Sequence, residues 1–401
     1  MAKKQNSRTP VSRESDDLIF AVCERFFSRI KSADAGEGEA DEKKKKGRRA
    51  RSGGAAAVAK EIAEEFNRPD LTRERIYPLL WEAINRDFLV MNAPLEVGLR
   101  THLVQKYNLR EHLDNVGGEV TVVNTPVGDI SEHVNAAAAD VIINLIDKVE
   151  REKKAKAKAE GRNVDEVRVN LGFGAGYAAE EVAKRLSTRA SAKAPKLTLH
   201  ALTCGGQYLA GQQKVPTTYF SYFEGKVRDA NFIGMFAPTV VQNDQYDALK
   251  SNPSLQFAYS ERDKIDILVT SLGTSVDAHC LLRQYYSHLK NNKLVNEDLL
   301  KSLESQGWVG DVMFQPYSNE KPIQAQSLRY VTLFDFEEML AFSRRPGKYV
   351  VVTCAPCRGC QQRKTMALRP LLSNPDLRLW THLVLDHGSA EELTGHIDAE
   401  Q

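Results

Sequence analysis

The chain has 401 residues, of which 42% are hydrophobic, 27% charged and 8% aromatic. A single hydrophobic core rarely grows beyond ~250–300 residues, so this length predicts more than one domain. The composition excludes collagen, coiled coil and wholesale disorder. Lys and Arg number 55 against 53 Asp and Glu, a formal net charge of only +2, so any nucleic-acid contact must be local rather than a property of the whole surface.

No apolar run approaches the ~20 residues of a membrane helix, and no hydrophobic stretch follows the basic residues of MAKKQNSRTP, which excludes secretion and membrane spanning. Six cysteines in so long a chain with no export signal argue for a reducing compartment, hence a cytoplasmic protein without a disulfide framework.

Residues 1–15 are polar and read as a flexible tail. From Asp16 to Ile30 an amphipathic helix is expected, with Leu18, Ile19, Val22, Phe26 and Ile30 on one face. Residues 31–57 are rich in Ala, Gly, Glu and Lys, and seven of the nine residues of KKKKGRRAR (Lys43 to Arg51) are basic. Such a segment buries too little apolar surface to order itself and reads as a disordered insertion. Val58, Ile62 and Phe66 then recur every four residues, NRPDL supplies a turn, and Thr72 opens a run with Ile76, Leu79, Leu80, Ala83 and Ile84 on one face.

Helix, insertion, helix, turn, helix over 16–94 is the plan of a helix-turn-helix DNA-binding head, and FLVMNAP fits a short wing. Thr72 would cap the recognition helix, and Arg73, Arg75 and Tyr77 near its start would reach DNA first. Pro78 lies inside that helix, where it removes a backbone donor.

A further amphipathic stretch runs from Leu95 to Leu109, then a strand-like EVTVVN and a Lys- and Ala-rich helix from Asp140 to Glu160, together suggesting a linker and dimer contact. From residue 167 onward strands and helices alternate: RVNLGF, AAEEVAKRLS, KLTLHALT, NFIGMFA, YDALKSN, DILVTSLG, DAHCLLRQYYSHL, KYVVVTC and RKTMALRPLL. Apolar strands each followed by a helix predict an open parallel α/β sheet, whose ligands bind in the loops at the carboxyl ends of the strands.

The candidate ligand loops follow from this. Gly172-Phe173-Gly174-Ala175-Gly176-Tyr177 joins a strand to a helix, where glycines expose amides and the helix directs its positive end at the same spot, an arrangement suited to phosphate. A tight packing turn accounts for the glycines equally well. No acidic residue ends the next strand, so this is not a dinucleotide fingerprint. Cys204-Gly205-Gly206-Gln207, Gly273-Thr274-Ser275 and Gly310-Asp311 repeat the theme at other strand ends, with Asp311 placed to bind sugar hydroxyls and Lys364 to pair with a phosphate.

Cys354, Cys357 and Cys360 form two overlapping CxxC spacings, but three thiolates need a fourth ligand and no second CxxC or His pair follows at zinc-ribbon spacing. They read as small loop residues, and no metal or cofactor is expected. Cys23 and Cys280 read as core thiols. There is no Gly-x-Ser-x-Gly elbow, Walker loop or His-Glu-x-x-His, so binding is a better expectation than catalysis.

The order of these parts resembles the SorC/DeoR-type family of bacterial sugar-responsive transcription regulators. The resemblance rests on VAKEIAEEFNRPDLTRERIYPLLWEAINRDFLVM, on LEVGLRTHLVQKYNLREHL, and then on NLGFGAGYAAEEVAKRL, LHALTCGGQ, MFAPTVV, DILVTSLGTS, GWVGDVMFQPYS and RGCQQRKTMALRPLL in the family's order. Where the family commonly has a Trp-Gly-Arg-Thr-like phosphate loop, this chain has Ala175-Gly176-Tyr177-Ala178.

The resemblance implies a (winged) helix-turn-helix head followed, over 95–401, by a Rossmann-like effector-binding and oligomerisation domain of the sugar-phosphate isomerase/deaminase type. It implies double-stranded DNA and a phosphorylated sugar or related effector as partners, and a homodimer or homotetramer. Gly174, Gly176, Tyr177, Gly205, Gly206, Gly273, Thr274, Asp311 and Lys364 are the expected effector contacts. The alternative is a sugar-phosphate isomerase or deaminase on the same scaffold, with Asp311, His279 and Lys364 as its acid–base candidates.

Overall fold

The computed structural model describes residues 14–34, 54–86, 88, 93–125, 129–189, 195–204, 214–227, 229–292, 299–324 and 328–395. The chain divides into two compact units, Met1–Met91 and Asn92–Gln401.

In the smaller unit, three helices pack on one another: α1 (Asp16–Asp34), α2 (Ala55–Glu65) and α3 (Arg73–Asn85). Their apolar faces close a core of Leu18, Ile19, Val22, Val58, Ala59, Ile62, Leu71, Ile76, Leu79 and Ala83, the periodic positions of the sequence. Leu80 and Phe26 are half-buried against it, and the Ile30 side chain lies outside the described residues.

The expected insertion is narrower than 31–57 at both ends, because α1 continues to Asp34 and α2 already begins at Ala55, whose side chain is buried in this core. The basic tract 43–51 and nearly all of FLVMNAP lie outside the described residues. Helix α3 runs unbroken through Pro78, which sits on the exposed side of the helix and has no amide to donate to the Glu74 carbonyl.

The larger unit is built on a mostly parallel sheet. Its strands are β1 (Glu119–Val123), β2 (Arg168–Phe173), β3 (Lys196–Ala201), β4 (Asn231–Ile233), β5 (Val240–Gln242), β6 (Ile267–Thr274), β7 (Gly310–Val312), β8 (Gln315–Tyr317), β9 (Leu328–Tyr330), β10 (Tyr349–Cys354) and β11 (His382–Asp386). Its helices are α4 (Val97–Lys106) and α5 (Arg110–Val116) before β1, then α6 (Ile130–Ala159), α7 (Tyr177–Arg189), α8 (Pro216–Phe223), α9 (Asn243–Lys250), α10 (Pro253–Glu261), α11 (Leu281–Asn291), α12 (Leu299–Ser305), α13 (Phe336–Ser343) and α14 (Thr365–Ser373) between the strands, and α15 (His387–Thr394) after β11.

The sheet order is β1-β11-β10-β6-β2-β3-β4, every neighbouring pair parallel. Parallel strands covered on both faces need apolar residues at every position, and β10 (YVVVTC) and β11 (HLVLD) are buried throughout. Helices α6, α7 and α8 cover one face through Val134, Ile142, Leu145, Val182, Leu186 and Phe223. The opposite face packs on α4, α13, α14 and α15, with Trp380 fully enclosed and its indole Nε1–H donated to Leu371 O at 3.0 Å.

The linker expected over residues 95–160 is corrected by this arrangement. β1 is the outermost strand, paired with β11 from Glu119↔His382 to Val123↔Asp386, so it belongs to the sheet. Helix α6 starts at Ile130, ten residues before the expected Asp140, because Asp129 caps it by accepting the Glu132 amide at 3.2 Å and Val134, Ala138 and Ala139 are already core positions.

From β2 the chain moves outward through β3 to β4, whereas β6, on the other side of β2, is followed outward by β10 and β11. The strand order therefore reverses between β2 and β6, and the carboxyl ends of these strands flank a crevice of the kind in which open α/β sheets bind ligands.

Candidate effector site

The crevice at the β2/β6 reversal is a cavity of about 530 Å³, inside the range of small-molecule sites. Among the described residues, three loops, one hairpin and Lys214 line its wall.

The first loop leaves β2. Gly174 donates its amide to Val269 O at 2.8 Å, holding the loop to β6. Gly176 has φ +126°, a conformation L side chains rarely adopt. Its carbonyl accepts the buried Tyr219 hydroxyl at 2.9 Å, and its amide donates to Lys214 O at 3.0 Å. This fixed turn delivers the chain into α7, whose first residues Tyr177 and Ala178 line the cavity. The first-turn amides of a helix have no intrahelical acceptor, and with the helix dipole they present a positive end to the cavity.

The second loop follows β6. Ser271, Leu272 and Gly273 give way to Asp277, His279 and Cys280 along the wall. The Asp277 carboxylate accepts the His279 amide at 2.7 Å and so folds the loop before α11. The third loop, Ala355 to Gly359, follows β10 and ends in Lys364 at the start of α14. Arg358 of this loop donates to the Tyr177 hydroxyl at 2.7 Å with its guanidinium over the Tyr177 ring at 5.1 Å, joining the first loop to the third.

The hairpin β7–β8 closes the cavity. It runs antiparallel to the end of β6, with Asp311 opposite Gly273. Met313 and Phe314 form its two-residue turn with φ of 49° and 68°, both in the left-handed region without a glycine between them. Both side chains line the cavity.

Asp311 is buried, and its Oδ2 accepts the Cys280 thiol at 3.1 Å. Burial pushes its carboxyl up from 3.8 to about 6, against the pull of the Cys280 hydrogen bond and the Lys364 ammonium. The cavity thus has a cationic side, made by Lys364, Lys214, Arg358 and the start of α7, and a buried carboxyl able to take hydroxyl groups. Anion and polyol recognition are both available on one wall.

Of the expected effector contacts, Gly176, Tyr177, Gly273, Asp311 and Lys364 meet in this cavity. Gly205 and Gly206 lie outside the described residues. Gly174 and Thr274 are not on the wall. A Cβ at Gly174 would come within 2.9 Å of Thr270 Oγ1, so this glycine serves close packing, and Thr274 is fully buried with its hydroxyl turned to Val309 O. Gly310-Asp311 does not end a parallel strand as expected; it forms the short antiparallel β7, and this return is what swings Asp311 over the crevice.

Sequence reasoning missed Lys214, Arg358, Met313 and Phe314. A two-residue turn without Gly or Asn leaves no turn signal, and nothing local links Arg358 to Tyr177 across 181 residues.

In the smaller unit, Thr72, just before α3, and Arg73, Arg75 and Tyr77, on its first half, are all exposed. Thr72 occupies the N-cap position, but its side chain makes no cap hydrogen bond to the helix, a correction to the expected role. Arg75 is engaged by Asp70 and Glu14, each at 2.9 Å. Glu14 and Asp70 also hold Arg68, at 2.7 Å each, so the start of α3 sits in a four-member charge network.

No protein-family model matches the chain, and no curated protein does either. Solved structures do match. The full-length sorbitol operon regulator SorC from Klebsiella pneumoniae is similar over 95% of this chain and 100% of its own, with a TM-score of 0.58 at 13% identity. A transcriptional regulator from Streptococcus pneumoniae TIGR4 is similar over 74% of this chain and 96% of its own, with a TM-score of 0.52 at 16% identity. A DeoR family transcriptional regulator from Listeria monocytogenes covers 74% of this chain and 98% of its own, with a TM-score of 0.51 at 16% identity. At these identities the likeness is one of fold. None of the described helices is long and apolar enough to cross a membrane.

Proposed function

We propose that the chain is a DNA-binding transcription regulator whose larger unit holds a phosphorylated sugar or related carbohydrate in the cavity at the β2/β6 reversal. The observation that carries this reading is the pairing, on one cavity wall, of a helix start and Lys364 with the buried carboxyl of Asp311. The first pair suits a phosphate and the second a set of hydroxyls. The fold likeness to proteins named as operon and transcriptional regulators supports the same reading over an enzyme.

In this reading α1–α3 are the helix-turn-helix head, α3 enters the major groove, and two or four chains assemble so that paired heads meet paired half-sites. Arg73 and Tyr77 then make the primary contacts, while Arg75 must first leave Asp70 and Glu14. Ligand in the cavity changes DNA affinity only to the extent that it binds the two head arrangements unequally.

The test is fluorescence anisotropy of the full chain on its own upstream DNA at rising salt, with and without a panel of phosphorylated sugars. Arg73→Ala is expected to weaken binding by about 5- to 150-fold, the ~1–3 kcal/mol of one base or phosphate contact. Binding no stronger than to unrelated DNA at low salt, or unchanged by Arg73→Ala, would contradict the reading. The enzyme alternative has one observation in its favour, the Asp311 carboxyl with its pKa near 6, a value suited to a general base. Turnover of the same sugar phosphates, abolished by Asp311→Asn, would establish it.

A further inference from the structure

Four donor groups from two of the cavity loops converge at one point. Asp277 and His279 come from the loop after β6, and Cys357 and Cys360 from the loop after β10; their ligand atoms all lie within 4.8 Å of one another. We propose that these four residues bind a zinc ion that ties the two loops together.

The sequence alone gave three cysteines and no fourth ligand. Folding removes Cys354 from the set, since it is buried at the end of β10, and brings up Asp277 and His279 from some 80 residues away in the chain, as the 83-residue separation of Asp277 and Cys360 shows. With zinc bonds of about 2.0–2.3 Å, the edges of a ligand tetrahedron are roughly 3.3–3.8 Å long. Two edges already have that length: Asp277 Oδ1 lies 3.3 Å from His279 Nδ1 and 3.3 Å from Cys360 Sγ. The ligand atoms all lie within 4.8 Å of one another, so the rest need to close by at most about 1–1.5 Å, within the reach of side-chain rotation.

The surrounding backbone is shaped for this. Gln361, directly after the second cysteine, has φ +58°, and the reversal it makes is closed by Gln361 N–H donating to Cys357 O at 2.7 Å and Cys357 N–H donating to Gln362 O at 3.0 Å. A reversal at that place returns the chain so that both sulfurs face the same side. Gly359 lies against the imidazole: a Cβ there would come within 3.0 Å of His279 Cε1 and Nε2, so glycine lets the ring sit close beside the cysteine turn. The Asp277 carboxylate is fixed by the His279 amide at 2.7 Å, an outer hydrogen bond that orients a ligand. Two thiolates, an imidazole and one carboxylate in a tetrahedral array select zinc over magnesium or calcium, which prefer six or more oxygens.

Asp277, His279 and Cys357 also line the cavity, so the ion would brace this part of its wall. The inference does not rest on the carbohydrate reading, because its readout needs neither DNA nor sugar.

The test uses the full chain, stripped with a chelator, kept under a phosphine reductant and titrated with Co²⁺. Saturation at one ion per chain is expected, with a near-ultraviolet thiolate-to-cobalt charge-transfer band and the strong visible bands of a tetrahedral ion, all reversed by Zn²⁺. Cys360 is exposed, so Cys360→Ser should fold as the wild type does and lose about half of the charge-transfer intensity, one sulfur of two. His279→Ala is expected to keep the sulfur band but weaken Co²⁺ binding by about tenfold or more. Cys354→Ala, outside the cluster, should leave the one-ion stoichiometry and the charge-transfer band as in the wild type, and near-ultraviolet circular dichroism checks that this buried substitution has not unfolded the chain. A folded, reduced wild type that takes up no Co²⁺ with a thiolate band, or a band that Cys360→Ser leaves intact, overturns the proposal.

Discussion

At pH 7.5 the Asp311→Asn protein is expected to be more stable than the wild type and to have lost most of its affinity for ligand. Burial raises the Asp311 carboxyl from 3.8 to about 6, so the folded chain binds a proton there more tightly than the unfolded chain does. Its stability contribution is therefore complete below pH ~4 and is lost as the pH rises through ~6, a penalty of about 3 kcal/mol at neutral pH for a shift of roughly two units. Asparagine keeps the shape and the Cys280 contact without the charge. Lys364, left without its partner, is only half-buried and can be hydrated.

Thermal unfolding of the two proteins at pH 4 and pH 7.5 checks this. The midpoints should coincide at pH 4 and separate by roughly 5 °C at pH 7.5, the variant higher. Ligand affinity should move the other way, falling about 10- to 100-fold, as expected when a charged hydrogen-bonding partner is removed. A variant that is less stable at both pH values would mean that the carboxyl is a structural element and not a binding group.

The second large effect is expected at Gly273. Its neighbour across the β6–β7 pairing is Asp311, and a Cβ added at Gly273 would lie 2.1 Å from Asp311 Oδ2. Gly273→Ala must therefore push the carboxylate aside or part the hairpin, an overpacking of about 1–3 kcal/mol. Because β7 also positions the Met313-Phe314 turn, ligand binding should fall with it. Adding Asp311→Ala to Gly273→Ala removes the collision. Chemical denaturation should then show the double variant recovering most of the lost stability while binding stays absent, the non-additivity of two groups in contact. Full additivity of the two substitutions would show that they do not meet.

Much of this fold is written in local pattern. The periodic apolar positions of α1–α3 and the continuous runs of β2, β6 and β10 fixed both their type and their place, and three of the loops that frame the cavity follow from strand ends. Non-local pairings are what local pattern cannot supply. β1 reads as part of a linker until β11, more than 250 residues later in the chain, pairs with it. β7 and β8 are three residues each, with a turn lacking Gly, and Gly310-Asp311 resembles another strand end until its antiparallel return on β6 is seen. The cysteines show the same limit: Cys357 and Cys360 seem to lack partners because Asp277 and His279 belong to a different loop.

Isothermal titration calorimetry of the full chain with phosphorylated sugars, each paired with its unphosphorylated form, tests the proposed cavity function most directly. One saturable site per chain is predicted, requiring the phosphate, weakened by Lys364→Ala and removed by Gly273→Ala. Saturable binding that is indifferent to the phosphate, or that survives Gly273→Ala unchanged, would place the ligand elsewhere and contradict the account.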